Sequence, residues 1–239
     1  MATFVLVLVP GAGGQAWYWH RLVPELESRG HVAIAVELPA ADPDAGLAEY
    51  ADAVMAAIGD HAGDPELVVV GQSMGSYTAM LVCDRVPARL LVFLNAMTPK
   101  LGESPGEQWE VTGLRAARVE QARRDGRDPD APFDPFFEFL HDVPQEVIAS
   151  GPPPPEQADK PFDDFPLERW PNVPIRFIQG RDDRFFPLEY QRRVVRERLG
   201  IELDELPGGH LLALSQPVAL AEQLVSYTSN PFMSGFAGT

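Results

Sequence analysis

The sequence predicts an α/β fold: a doubly wound, mostly parallel sheet with a helical cap inserted after the fourth strand. Three observations predict it. Short β-branched runs recur along the chain, each nearly continuous in hydrophobicity, as strands covered on both faces require. Helical patterns separate most of these runs, and strand–helix alternation produces a wound parallel sheet. In one interval, Thr98 to Pro174, the alternation stops.

The first strand is placed at Phe4–Val9 and runs into Pro10-Gly11-Ala12-Gly13-Gly14-Gln15, with a helix over Ala16–Arg29. A second strand at Val32–Glu37 precedes a helix at Leu47–Ile58. The third strand, Leu67–Val70, leads through Gly71-Gln72-Ser73-Met74-Gly75 into a helix over Ser76–Val86, and the fourth is Leu90–Leu94. After the interruption come a strand at Ile175–Ile178, a helix at Leu188–Leu199, a strand at Ile201–Leu206 and a helix at Pro217–Ser226. Residues 1–97 and 175–228 therefore form the core, 98–174 the insertion, and 229–239 a frayed tail of small and polar residues.

The insertion holds Trp109, Phe133, Phe136, Phe137, Phe139, Phe162, Phe165 and Trp170. A structureless loop of that length does not suit a compact domain. It is expected to be mostly helical and to lie over the carboxyl ends of the strands, where open α/β sheets bind ligands. Some of its aromatics would line an apolar pocket and others hold the cap together. Pro152 to Pro155 is a stiff extended connector.

Composition excludes several classes. A net charge of −16, from 19 basic and 35 acidic residues, argues against nucleic-acid backbones as partners. The run Phe4–Val9 is too short to span a membrane and has no basic residues before it, so neither a span nor a signal peptide is expected. The single cysteine, Cys83, cannot form an internal disulfide, which fits a cytoplasmic protein, and its helical position suggests packing. Five scattered histidines and one cysteine show no ligand spacing, so no metal or cofactor is expected.

The chemistry centres on Ser73. Gly-x-Ser-x-Gly after a strand and before a helix fits a nucleophile elbow, where a tight turn lifts the hydroxyl above the sheet. Gly102-Glu103-Ser104-Pro105-Gly106 fits the same pattern, but no strand precedes it and Pro105 has no N–H for an oxyanion. A serine needs a base and a group that orients the base, expected later in the chain in the order acid, then histidine. His20, His31 and His61 precede Ser73 and His141 falls in the insertion; only His210 follows the last strand. Asp182 and Asp183 both follow the fifth strand, and Asp183 better fits the Gly-x-x-Asp position. The backbone N–H groups of Ala12 and Met74 are candidate oxyanion donors. A competing reading remains. Gly11-Ala12-Gly13-Gly14-Gln15-Ala16, with Glu37 ending the next strand, also fits a dinucleotide fingerprint, although that leaves Ser73, Asp183 and His210 unexplained.

With these residues in place the chain resembles the α/β-hydrolase superfamily over nearly its whole length. It is most similar to the branch of plant methylesterases, bacterial esterases and hydroxynitrile lyases. The stretches that carry the likeness are Ala16-Trp17-Tyr18-Trp19, the Ser73 elbow, Phe136-Phe137 through His141-Asp142-Val143-Pro144, and Gly209-His210-Leu211 through Pro217. The resemblance implies a Ser73–His210–Asp183 triad with the Ala12 and Met74 amides as oxyanion donors. Pro10 departs from the family, which usually has histidine there. Lyases of the branch tend to carry Thr or Asn at the position of Gly11 and Lys at that of Leu211, so this chain makes the esterase-like choices.

The expected activity is hydrolysis of a small-to-medium carboxylic ester or lactone through an acyl-serine, by a monomer or homodimer. Gly11, Trp17, Phe136, Phe137 and Leu211 would border the substrate. The alternative from another class is a triad-bearing ligand receptor with slow or vestigial turnover.

Overall fold

A computed structural model of the 239-residue chain describes residues 3–153 and 156–229. Six strands form one sheet: β1 (Val5–Val9), β2 (Val32–Ala35), β3 (Leu67–Gln72), β4 (Leu90–Leu94), β5 (Ile175–Gly180) and β6 (Asp204–Leu206). Their order is β2-β1-β3-β4-β5-β6, and every neighbouring pair is parallel. The chain steps outward from β1 to β2, then returns past β1 to β3. This reversal opens a crevice at the carboxyl ends of β1 and β3, where α/β sheets bind ligands.

The hydrophobic runs are continuous because both faces are covered. Val5, Val7 and Val9 of β1 face one cluster, with helices α2 (Leu47–Ile58), α3 (Gly75–Arg85) and α8 (Leu188–Leu199). Leu6 and Leu8 face the other, with α1 (Leu22–Glu27) and α10 (Pro217–Ser229). All five β1 residues are buried.

Between β4 and β5 the described residues form helices α4 (Pro105–Val111), α5 (Leu114–Arg124), α6 (Pro135–Phe139) and α7 (Gln145–Ser150), and no strand. The segment is not wholly separate from the core. Leu114, Phe165, Leu167 and Val173 join the first cluster, and Phe165 meets Tyr77 edge-on at 4.8 Å. Val143 and Val147 pack instead against Leu211 and Leu214, the last on the short α9 (Leu212–Ser215).

Several elements differ from expectation: β2 stops at Ala35, β5 runs on to Gly180, and three others change as follows. The helix foreseen over Ala16–Arg29 is split into a 3-10 turn, Ala16–Trp19, and α1. Pro24 is the reason: without an N–H it fits only a helix's first turn, and α1 starts two residues before it. The sixth strand is shorter than expected, since Ile201 is buried before pairing starts at Asp204. The third strand is longer and runs to Gln72, directly against Ser73. The expected tail from residue 230 onward, and Pro154 and Pro155 of the connector, lie outside the described residues.

Among the described residues no helix is long and apolar enough to cross a membrane. Cys83 is buried in the first cluster, and burial pushes its thiol well above the ordinary range, which suits packing and not reactivity.

Candidate active site

Ser73 stands at the end of β3 with φ 53°, a left-handed conformation that L-residues rarely adopt. The turn is held by close approach. A Cβ on Gly75 would lie 2.4 Å from the Pro10 carbonyl oxygen, and one on Gly71 would lie 2.8 Å from both Ala79 Cβ and the Gly75 carbonyl. Gly75→Ala must therefore push the β1 loop away from the elbow, at about 1–3 kcal/mol. Urea unfolding should show that loss together with reduced turnover. An unchanged midpoint would show that the contact is not limiting.

The loop after β1 is tied to the same turn. Gly11 N–H donates to the Gln72 side-chain oxygen at 3.0 Å, and a Cβ on Gly11 would lie 2.7 Å from Ser73 Cβ. Gly13 N–H donates to Gln157 Oε1 and Gly14 N–H to the Gly11 carbonyl. Among the described residues, the Ala12 and Met74 N–H groups have no acceptor. Two backbone amides, one on the loop after β1 and one directly after Ser73, are thus left without acceptors where these two segments meet.

The loop does not suit a dinucleotide. It enters a four-residue 3-10 turn and not an α-helix, so no helix N-terminus faces a pyrophosphate. Glu37, the candidate ribose acceptor, is already used: its Oε2 accepts from Ala16 N–H at 2.6 Å.

Asp183 and His210 meet directly. Asp183 is buried on the turn after β5, and its Oδ2 lies 2.9 Å from His210 Nδ1. A carboxylate only accepts, so Nδ1 carries the hydrogen, and in the neutral imidazole the lone pair is then on Nε2. Asp183 Oδ1 accepts from the N–H groups of Phe185 and Phe186, each at 2.9 Å, and Oδ2 also accepts from Gln179 Nε2. Asp182 is exposed and accepts from Gly208 N–H, so it shapes the loop. His210 packs among the rings of Phe139, Phe186 and Phe185, at 4.9, 5.4 and 5.5 Å. Ser73 and His210 share the carboxyl edge of the sheet, but among the described residues no hydrogen bond joins them. Such bonds are often loose without substrate.

Three anchors were not foreseen from sequence. Asn95, fully buried after β4 at φ 43°, donates to the carbonyls of Gly209 and His210 at 2.9 and 2.8 Å. It accepts from Gly180 N–H at 2.6 Å, joining the Asp183 turn to the His210 loop. Asp142 accepts from Gly209 N–H at 2.6 Å, and Gln72 holds Gly11. The available signal was a polar residue closing the apolar run Leu90–Leu94. Asn95→Ala should cost at least about 3 kcal/mol, since three buried backbone groups lose partners at roughly 1–3 kcal/mol each. Chemical denaturation measures this, and a loss under 1 kcal/mol would contradict the tie.

The expected pocket residues scatter. Gly11 touches Ser73. Trp17 stacks on His20 at 4.9 Å and packs with Leu211 in the cluster joining the inserted segment to α9. Phe137 lies under the guanidinium groups of Arg184 and Arg127, at 4.1 and 4.7 Å. Phe136 is 56% exposed, and the structure does not bring it to the site; Phe139 is the ring of α6 that meets the imidazole. A cavity of about 720 Å³ is lined by Asp183 together with His141 and Arg184. Burial, then Arg184, holds the His141 imidazole below its ordinary range. Neither Ser73 nor His210 lines that cavity. The second serine of the Gly-x-Ser-x-Gly pattern has a different role: Ser104 caps α4, bonded reciprocally with Glu107.

Residues 6–223 match the sequence pattern of the alpha/beta hydrolase family. The chain belongs to that family. This alpha/beta hydrolase is 27% identical over 259 residues to a probable esterase, PIR7A, of Oryza sativa, covering 92% of this chain and 94% of that one. It is 30% identical over 125 residues to Methylesterase 3 of Arabidopsis thaliana, a match spanning 48% of each chain. Its fold is that of polyneuridine aldehyde esterase, with a TM-score of 0.76 at 23% identity over 95% of this chain and 100% of that structure.

Proposed function

We propose that this alpha/beta hydrolase cleaves small-to-medium carboxylic esters through an acyl-serine intermediate, with residues 98–174 acting as a cap over the site. The observation that carries the reading is the pair of acceptor-free amides, Ala12 and Met74, beside Ser73 on its strained turn. Esterase relatives that align along nearly the whole chain support the same class.

Ser73 Oγ attacks the ester carbonyl while its proton passes to His210 Nε2. The carbonyl π electrons move to oxygen, and the Ala12 and Met74 N–H groups take the new negative charge. Asp183 holds the imidazole in the correct tautomer and stabilises the imidazolium. As the tetrahedral adduct collapses, the C–O bond to the alcohol breaks and the imidazolium protonates the departing oxygen. Water then gives a proton to Nε2 as it attacks the acyl carbonyl. The bond to Ser73 Oγ breaks, the imidazolium returns its proton to that oxygen, and the acid is released.

Leu211 follows the histidine, so no lysine ammonium stands there to receive a departing cyanide, which favours hydrolysis over cyanohydrin cleavage. Incubation with a fluorophosphonate, followed by peptide mass analysis, tests the reading. Labelling should fall on Ser73 and disappear in His210→Ala. A protein that stays unlabelled while hydrolysing esters would refute it.

A further inference from the structure

The inserted helices enclose a cleft of about 1350 Å³ that Ser73 and His210 do not line. Trp109, Leu114, Val119 and Phe133 give it apolar walls, and Arg118 and Glu138 bring charge into it. Glu138 is 8% exposed, an unusual burial for a carboxylate. Its Oε1 accepts from Arg118 Nη2 at 2.8 Å. Its Oε2 is buried and has no hydrogen-bond partner. A buried acceptor left unmade is expensive, and such a group calls for a specific explanation.

Arg118 is not free to cover both oxygens. Its guanidinium lies over the rings of Phe185 and Phe133, at 5.0 and 5.7 Å, and swinging away would give up both contacts. The same rings connect the cleft to the reacting end. Phe133 packs on Phe139 and Phe185 at 5.6 and 6.1 Å, and these two rings touch His210. One ring of the cleft wall, Phe133, therefore packs directly on the two rings that touch the imidazole.

We infer that Glu138 determines specificity: the cleft takes the distal ring of an ester that carries a hydroxyl group, which donates to Oε2. The assignment rests on Ser73 being the nucleophile that fixes the other end of the substrate. The cleft carries both signs, Arg115, Arg118, Arg127 and Arg184 beside Glu110, Asp128, Asp130, Asp134 and Glu138. The choice of a hydroxyl over an ammonium therefore rests on hydrogen bonding: an ammonium only donates and leaves Arg118 facing another donor. A hydroxyl can also accept from Arg118 while it donates to Glu138. The aromatic walls supply apolar contact for the ring that bears it.

The test compares kcat/KM for 4-hydroxyphenethyl acetate and phenethyl acetate, which differ by one hydroxyl. The wild-type protein should favour the hydroxylated ester by about tenfold or more. That ratio should collapse to near one in Glu138→Ala, whatever happens to the absolute rates. Should Glu138→Ala fail to fold, Glu138→Gln fills the same volume and should lower the ratio by at least about threefold. A wild-type ratio near one, or a ratio unchanged in the variants, overturns the inference while leaving the hydrolase reading intact. If neither ester turns over, the hydrolase reading fails by itself, and ligand-detected NMR with p-cresol and toluene decides the cleft. Tighter binding of p-cresol that vanishes with Glu138 supports the assignment; equal binding of the two overturns it.

Discussion

Ser73→Ala is expected to lower ester turnover by about four to six orders of magnitude while the chain stays folded. The hydroxyl has no hydrogen-bond partner among the described residues, so removing it leaves no buried group unpaired. The strain at φ 53° is a property of the backbone that alanine inherits, and Gly71 and Gly75 keep the elbow closed. Stability should therefore change by less than about 1 kcal/mol. Thermal unfolding and single-turnover kinetics separate the two effects. The residual rate would come from the Ala12 and Met74 amides, which can still hold an oxyanion when water attacks directly. A loss of less than tenfold would mean that the acyl group never resides on this serine.

The sheet and the elbow were legible because both are local. The run Leu67–Val70 and the Gly-x-Ser-x-Gly that follows are contiguous, and close backbone packing requires glycine at positions 71 and 75. His210 was singled out by elimination along the chain, and the structure pairs its Nδ1 with Asp183. What escaped depends on distance or on phase. Asn95 joins carbonyls 114 and 115 positions away, and no local pattern encodes such a partner. Phe136 and Phe139 sit on a helix of five residues, too short for periodicity to show which face meets the imidazole. Pro24 did carry a readable signal, since a proline cannot lie in the interior of a straight helix, and it should have divided the Ala16–Arg29 segment. Asp182 and Asp183 are adjacent and chemically alike, so only the donors arrayed around each of them separate their roles.

Those donors make Asp183→Asn the more informative substitution of the pair. The carboxylate of Asp183 receives four of them: Phe185 N–H and Phe186 N–H on Oδ1, Gln179 Nε2 and His210 Nδ1 on Oδ2. An asparagine has one oxygen and one NH2, so its NH2 must face donors whichever way it is turned. If the oxygen stays with the two backbone N–H groups, NH2 confronts His210 Nδ1. The imidazole then answers with the other tautomer: Nδ1 accepts, Nε2 carries the hydrogen, and no lone pair remains for the Ser73 proton. If the amide is reversed, two buried backbone N–H groups lose their acceptor, at roughly 1–3 kcal/mol each. The first arrangement is the less costly, and it predicts a kcat lower by about 10⁴ with KM little changed. Asp182→Asn is the control. That residue is exposed, and among the described residues its side chain serves only the Gly208 N–H, which an asparagine oxygen can also satisfy. Its kcat should stay within about threefold of the wild type. Steady-state kinetics on the two variants, with denaturation to confirm that both fold, decides between the carboxylates. Equal losses from the two substitutions would show that the loop as a whole, and not the Asp183–His210 bond, sets the rate.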